Sequence, residues 1–141
     1  MPYKHALTVF DGSPESENLL DMVCGVVRPH RAQLTILHIK LVPLTEPLPK
    51  YDPAADPQTA ALLRKAEKFA EKRGVKAASA VRYARVLGSA VVAEARICGA
   101  DLLALLAPDI EKQPPNQALD SDIEIVLRKA TCAVMLCRPS R

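Results

Sequence analysis

The side chains best suited to chemistry stand at the two ends of this 141-residue chain. Asp11-Gly12-Ser13 closes the first apolar segment, and Asp120-Ser121-Asp122 opens the last amphipathic one, with Asp109 a little upstream. The carboxylates of Asp109, Asp120 and Asp122 are of the kind that holds Mg²⁺ through oxygen. Acidic residues at a helix start also occur without any metal, because the helix dipole favours them there. Asp11, Ser13 and Ser121 are the candidates for a base or nucleophile, and none has an evident activating partner. His38 lies in an apolar strand-like run, where it reads as a hydrogen-bonded core histidine rather than a base. There is no G-x-S-x-G, H-E-x-x-H or Walker loop.

Other reactive types read as structural. Cys24, Cys98, Cys132 and Cys137 form no C-x-x-C and have no histidine at metal-ligand spacing, so they read as reduced, small hydrophobes. Arg64, Lys65, Lys68, Lys72, Arg73 and Lys76 form a basic run without interleaved aromatic residues, which reads as a solvated helix face. The net charge of +3 argues for neither nucleic acid nor an anionic membrane. No apolar run approaches the ~20 residues of a membrane span, and the N-terminus lacks a signal-peptide pattern, so a cytoplasmic protein is expected.

The elements that must position these residues alternate in type. Tyr3 to Phe10 reads as a buried strand, followed by a helix capped by Ser13 with Pro14 at its first position. Gln33 to Leu41 is a second strand. Val42 to Ala55, with Pro43, Pro47, Pro49 and Pro53, is a connector. Asp56 caps a second helix that Gly74 ends, and Val75 to Tyr83 is a third strand. Gly88-Ser89 opens a helix through Cys98, Leu102 to Leu106 is a strand, and 107–119 is a loop. Asp120 or Ser121 caps the last helix, and Ala133 to Arg138 is the last strand. This β-α-β-α-β-α-β-α-β order predicts one domain over 1–141, a doubly wound five-stranded parallel sheet with helices on both faces.

Four segments in order carry a family resemblance: Ala6-Leu7-Thr8-Val9-Phe10-Asp11-Gly12-Ser13, Leu37-His38-Ile39, Gly99-Ala100-Asp101-Leu102-Leu103 and Leu119 to Leu136. Together they resemble the universal stress protein family over nearly the whole chain. ATP-binding members share a loop G-x-x-G-x9-G-[S/T] after strand four, whose glycines bring bare amides to the phosphates. Laid on this chain without gaps, the glycine positions are Ala107, Ile110 and Asp120, and only Ser121 matches. The resemblance therefore implies a degenerate member, non-enzymatic and acting through protein partners, that does not bind ATP in the usual mode. It also implies a homodimer paired through the strand Ala133 to Cys137. The alternative is a nucleotide switch in which Asp11, Ile39 and Ser121 hold the nucleoside and Mg²⁺ bridges the acidic loop to ATP. A third reading, an enzyme built on Asp11, Ser13 or Ser121, requires an activating partner.

Overall fold

The computed structural model describes residues 3–107 and 121–138. Its strands are β1 (His5–Val9), β2 (Gln33–Leu41), β3 (Ala77–Ala84), β4 (Leu102–Leu106) and β5 (Ala133–Cys137). They form one sheet in the order β3-β2-β1-β4-β5, and every pairing is parallel. The helices are α1 (Pro14–Val27), α2 (Pro57–Lys72), α3 (Leu87–Cys98) and α4 (Ser121–Lys129). A 3-10 turn over Arg28–His30 extends α1, and Arg31 leaves it with φ of 54°.

Alternate residues of each strand feed opposite cores. Ala6, Phe10, Leu34, Ile36, Leu102 and Ala104 pack under α1 and α2 with Leu20, Val23 and Leu63. Leu7, Leu37, Leu103 and Leu105 pack under α3 and α4 with Val91, Ile123 and Val126. A strand buried on both faces has no polar face, which is why β4 reads Leu-Leu-Ala-Leu-Leu.

The helix starts follow local chemistry in two cases. The Ser13 hydroxyl accepts from the Ser16 amide at 3.1 Å, with Pro14 at the first position. Asp56 accepts from the Thr59 amide at 3.2 Å and the Thr59 hydroxyl at 2.8 Å, and pairs with Lys40 at 2.8 Å. The bonds from Lys40 and Thr59 hold the Asp56 carboxyl down at about 2. A depressed carboxylate stabilises the fold above the ordinary carboxylate range, and that stabilisation is lost as pH falls through about 2. Asp56→Ala is expected to lower Tm by a few degrees at pH 7, and Asp56→Asn by less, because it keeps a cap. The gap between wild type and Asp56→Ala should close between pH 4 and 2, read by thermal melts across that range; a constant gap would show that the ionised cap contributes nothing.

The basic run divides in the structure. Arg64, Lys65, Lys68, Lys72 and Lys76 are exposed. Arg73 ties two helices: its Nε donates to Asp21 at 2.6 Å, and its guanidinium stacks 3.4 Å over the Phe69 ring.

Candidate functional site

The sheet order reverses between β1 and β4, whose chain neighbours run to opposite sides. In open parallel sheets a ligand crevice forms at that point, outside the carboxyl ends of the strands. A cavity of about 310 Å³ lies there, walled by Val9, Leu105, Leu106 and Ala107 with α4 residues above. Two carboxylates, Asp11 and Asp122, also line it.

Asp11 is held by the turn into α1. Its Oδ1 accepts from the Ser13 amide at 2.8 Å, and Gly12 between them has φ of 85°. Partial burial pushes the Asp11 carboxyl up, but hydrogen bonds from Ser13 and Ser16 outweigh it, so the group sits below its ordinary value. A carboxylate held in that state is a weak base. Its first role is to close the turn.

Asp122 comes from the first turn of α4, and its Oδ1 accepts from the Gly88 amide at 2.8 Å. Gly88 is the second residue of α3, whose own cap position, Val86, offers no side-chain acceptor. A neighbouring helix thus supplies the carboxylate that α3 lacks locally. The helices meet closely here: a Cβ on Gly88 would stand 2.7 Å from the Asp122 carbonyl oxygen.

The other expected site residues are placed differently. Ile39 is half-buried against the α3–α4 core, beyond the end of β1, and does not line the cavity. Ser121 is exposed, stands inside α4 as its first residue and does not line the cavity; the cap position before it lies outside the described residues. Asp109, Ile110 and Asp120 also lie outside them. Among the described residues no group of three histidine, cysteine, aspartate or glutamate side chains is placed to hold a metal. His38 Nδ1 donates to the Phe10 carbonyl at 2.9 Å, tying the ends of β1 and β2, as a structural histidine should. Cys24 and Cys137 are buried, Cys98 and Cys132 half-buried. Burial raises all four thiols, Cys24 to about 11, so none is primed as a nucleophile.

The Asp122–Gly88 contact escaped the sequence reading, since 34 positions separate its partners. A signal did exist: α3 begins at Leu87 after Arg85-Val86, with no Ser, Thr, Asp or Asn to cap it.

Comparison with known proteins agrees with this fold. The universal stress protein family matches residues 2–138. The chain belongs to that family. No curated protein gives a significant match. A universal stress protein solved in complex with cAMP is 21% identical, with TM-score 0.75, covering 99% of this chain and 100% of the other. The universal stress protein UspA from Lactobacillus plantarum is 18% identical, with TM-score 0.73, covering 98% and 99%. The universal stress protein from Archaeoglobus fulgidus in complex with dAMP is 14% identical, with TM-score 0.69, covering 96% and 98%. These likenesses bear on the fold, the doubly wound parallel sheet expected above. No helix among the described residues is long and apolar enough to cross a membrane.

Proposed function

We propose that this universal stress protein is a cytoplasmic, non-enzymatic regulatory member of its family, dimeric, and acting through protein partners without holding ATP in the usual mode. The observation that carries the reading is the pair of carboxylates, Asp11 and Asp122, lining the switch-point cavity. A carboxylate about 4 Å from a phosphate charge opposes it by roughly 4 kcal/mol at an effective dielectric near 20. A helix N-terminus returns only about 0.3–1 kcal/mol. The amide of Gly88, a donor of the kind phosphates use, is already bonded to Asp122. The cavity, at about 310 Å³, sits near the floor of the size range of ligand pockets, roughly 300–1,000 Å³. Asp11 is too acidic for a base and the thiols are raised, which supports a role without catalysis.

The dimer reading rests on β5. Among the described residues it pairs only with β4, which leaves its outer backbone groups without a strand partner there, and Leu136 is 40% exposed. An apolar edge strand invites pairing, and a second copy across a two-fold axis would supply it.

A second reading, a nucleotide switch using Asp11, Ile39 and Ser121, draws support from the relatives solved with cAMP and dAMP. Those ligands carry one phosphate and need no triphosphate cradle. A thermal-shift series with Mg-ATP, AMP and cAMP separates the readings. A ligand at about 100 times its Kd stabilises by about 2.7 kcal/mol. At roughly 3–4 °C per kcal/mol for a chain of this size, that is a shift near 10 °C. The proposal expects no shift at millimolar Mg-ATP. A clear shift with Mg-ATP overturns it, and one with AMP or cAMP that Asp11→Ala abolishes establishes the switch.

A further inference from the structure

A second cavity lies on the other side of the sheet from the switch point. It encloses about 730 Å³ between β3, α2 and the proline-rich connector. Leu63 and Val81 in its wall belong to the α1–α2 core, whereas Leu105 and Ile123 at the switch point belong to the α3–α4 core. The two cavities are therefore independent sites.

The connector is held as a wall. Arg85 donates to the Pro43 carbonyl at 2.6 Å and the Glu46 carbonyl at 2.8 Å, and the Val42 amide donates to the Ala84 carbonyl at 2.8 Å. At the far end Asp52 accepts from the Ala54 amide at 3.0 Å, and Lys40 pairs with Asp56. Pro47, Pro49 and Pro53 fix φ between those clamps, so the wall loses little entropy on receiving a ligand.

The lining has two characters. Leu48, Leu63, Val81 and the rings of Tyr51 and Tyr83 offer apolar and aromatic surface. Lys50, Arg64 and Arg82 offer positive charge, and no carboxylate among the described residues lines the cavity. Arg82 is committed to Glu94 at 2.9 Å. Glu67, one turn beyond Arg64, accepts the hydroxyl of the lining residue Ser79 at 2.5 Å. Three cations against those two carboxylates leave one positive charge in excess. The side chains of Lys50 and Arg64 have no hydrogen-bond or ion-pair partner among the described residues.

We propose that this cavity binds an amphipathic monoanion: a carboxylate head met by Lys50 and Arg64, and a medium-length apolar tail laid against Leu48, Leu63 and Tyr51. The wall is preformed, the apolar surface suits a chain rather than a sugar, and the excess charge suits one negative group. Nothing in this site depends on the nucleotide question.

Calorimetric titration of the purified full chain with decanoate, decanol and decyltrimethylammonium tests it. The expected result is saturable decanoate binding, one per chain, at least tenfold tighter than decanol, with the cationic amphiphile not binding. Lys50→Gln with Arg64→Gln should weaken decanoate at least tenfold, and both side chains are exposed, so folding should survive. Ala60→Phe, which puts a ring into the cavity, should abolish binding at an unchanged Tm. Equal binding of the three amphiphiles, no saturable heat, or decanoate affinity undiminished in the double variant would overturn the assignment.

Discussion

Gly88→Ala is expected to destabilise the fold by about 2 kcal/mol, although alanine is the better helix former. Gly88 sits in the first turn of α3, where alanine would ordinarily gain up to about 1 kcal/mol. The added Cβ, however, would meet the Asp122 carbonyl oxygen at 2.7 Å, the Asp122 Cα at 3.0 Å and the Ile125 Cβ at 3.1 Å. Two of those atoms are backbone, so relief requires the whole N-terminal turn of α4 to move. That motion stretches the bond from the Gly88 amide to Asp122, so overpacking and the loss of a cap add together. Gly25, inside α1, is the internal control. A Cβ there would meet nothing within 4 Å, and Gly25→Ala should stabilise by up to about 1 kcal/mol. The same substitution thus carries opposite signs at the two positions. Urea melts of both variants decide it: a neutral or stabilising Gly88→Ala would mean that α3 and α4 are not held this close in solution.

The same residue shows where the sequence was legible. β2 and β4 span the segments their sequences predict, Gln33–Leu41 and Leu102–Leu106, and in β4 burial on both faces leaves no polar residue to blur the boundary. Ser13 and Asp56 were readable as caps because their partners lie three residues on. β3 was less so. The sequence predicts a start at Val75, but the Val75 amide turns back to the Ala70 carbonyl at 3.0 Å and the strand starts at Ala77. A run of Ala-Ala-Ser-Ala carries too little hydrophobic contrast to mark an edge strand. The sequence predicts Gly88 as a helix opener, and it is the second residue of α3, but its close packing against α4 leaves no local mark. No local pattern separates a glycine needed for its backbone from one needed for its missing side chain.

For the candidate site, Asp11 was legible because its role is local: a strand end, a glycine and a capped helix within three residues. Asp122 was read as part of an acidic cluster, and the structure gives it a partner on another helix. The sequence shows the charges around the switch point, but topology decides which amide each one faces.

Arg82→Ala is expected to cost about 3 kcal/mol, roughly threefold more than Glu94→Gln. The pair is bidentate: Arg82 Nε lies 2.9 Å from one Glu94 oxygen and a terminal nitrogen lies 3.2 Å from the other. Its members are unequally placed. The Glu94 side chain is 4% exposed on α3, whereas that of Arg82 is 49% exposed at the edge of β3. Removing arginine strands a buried carboxylate, and breaking such a pair typically costs about 3–5 kcal/mol. The low end applies because water already reaches the guanidinium side. Removing the glutamate charge leaves an arginine that rehydrates in place, so that loss is nearer 1 kcal/mol, the scale of one hydrogen bond. Replacing both, Arg82→Met with Glu94→Leu, should restore most of the stability, because the burial cost of the charge then disappears with its partner. A double-mutant cycle on denaturant melts measures this coupling directly. Equal losses from the two single variants, or a double variant as unstable as their sum, would mean that the charge is not buried as described. The physical point concerns β3 itself. A small-residue edge strand buries little apolar surface of its own, and this ion pair, twelve residues across, is one of the contacts that tie it to α3.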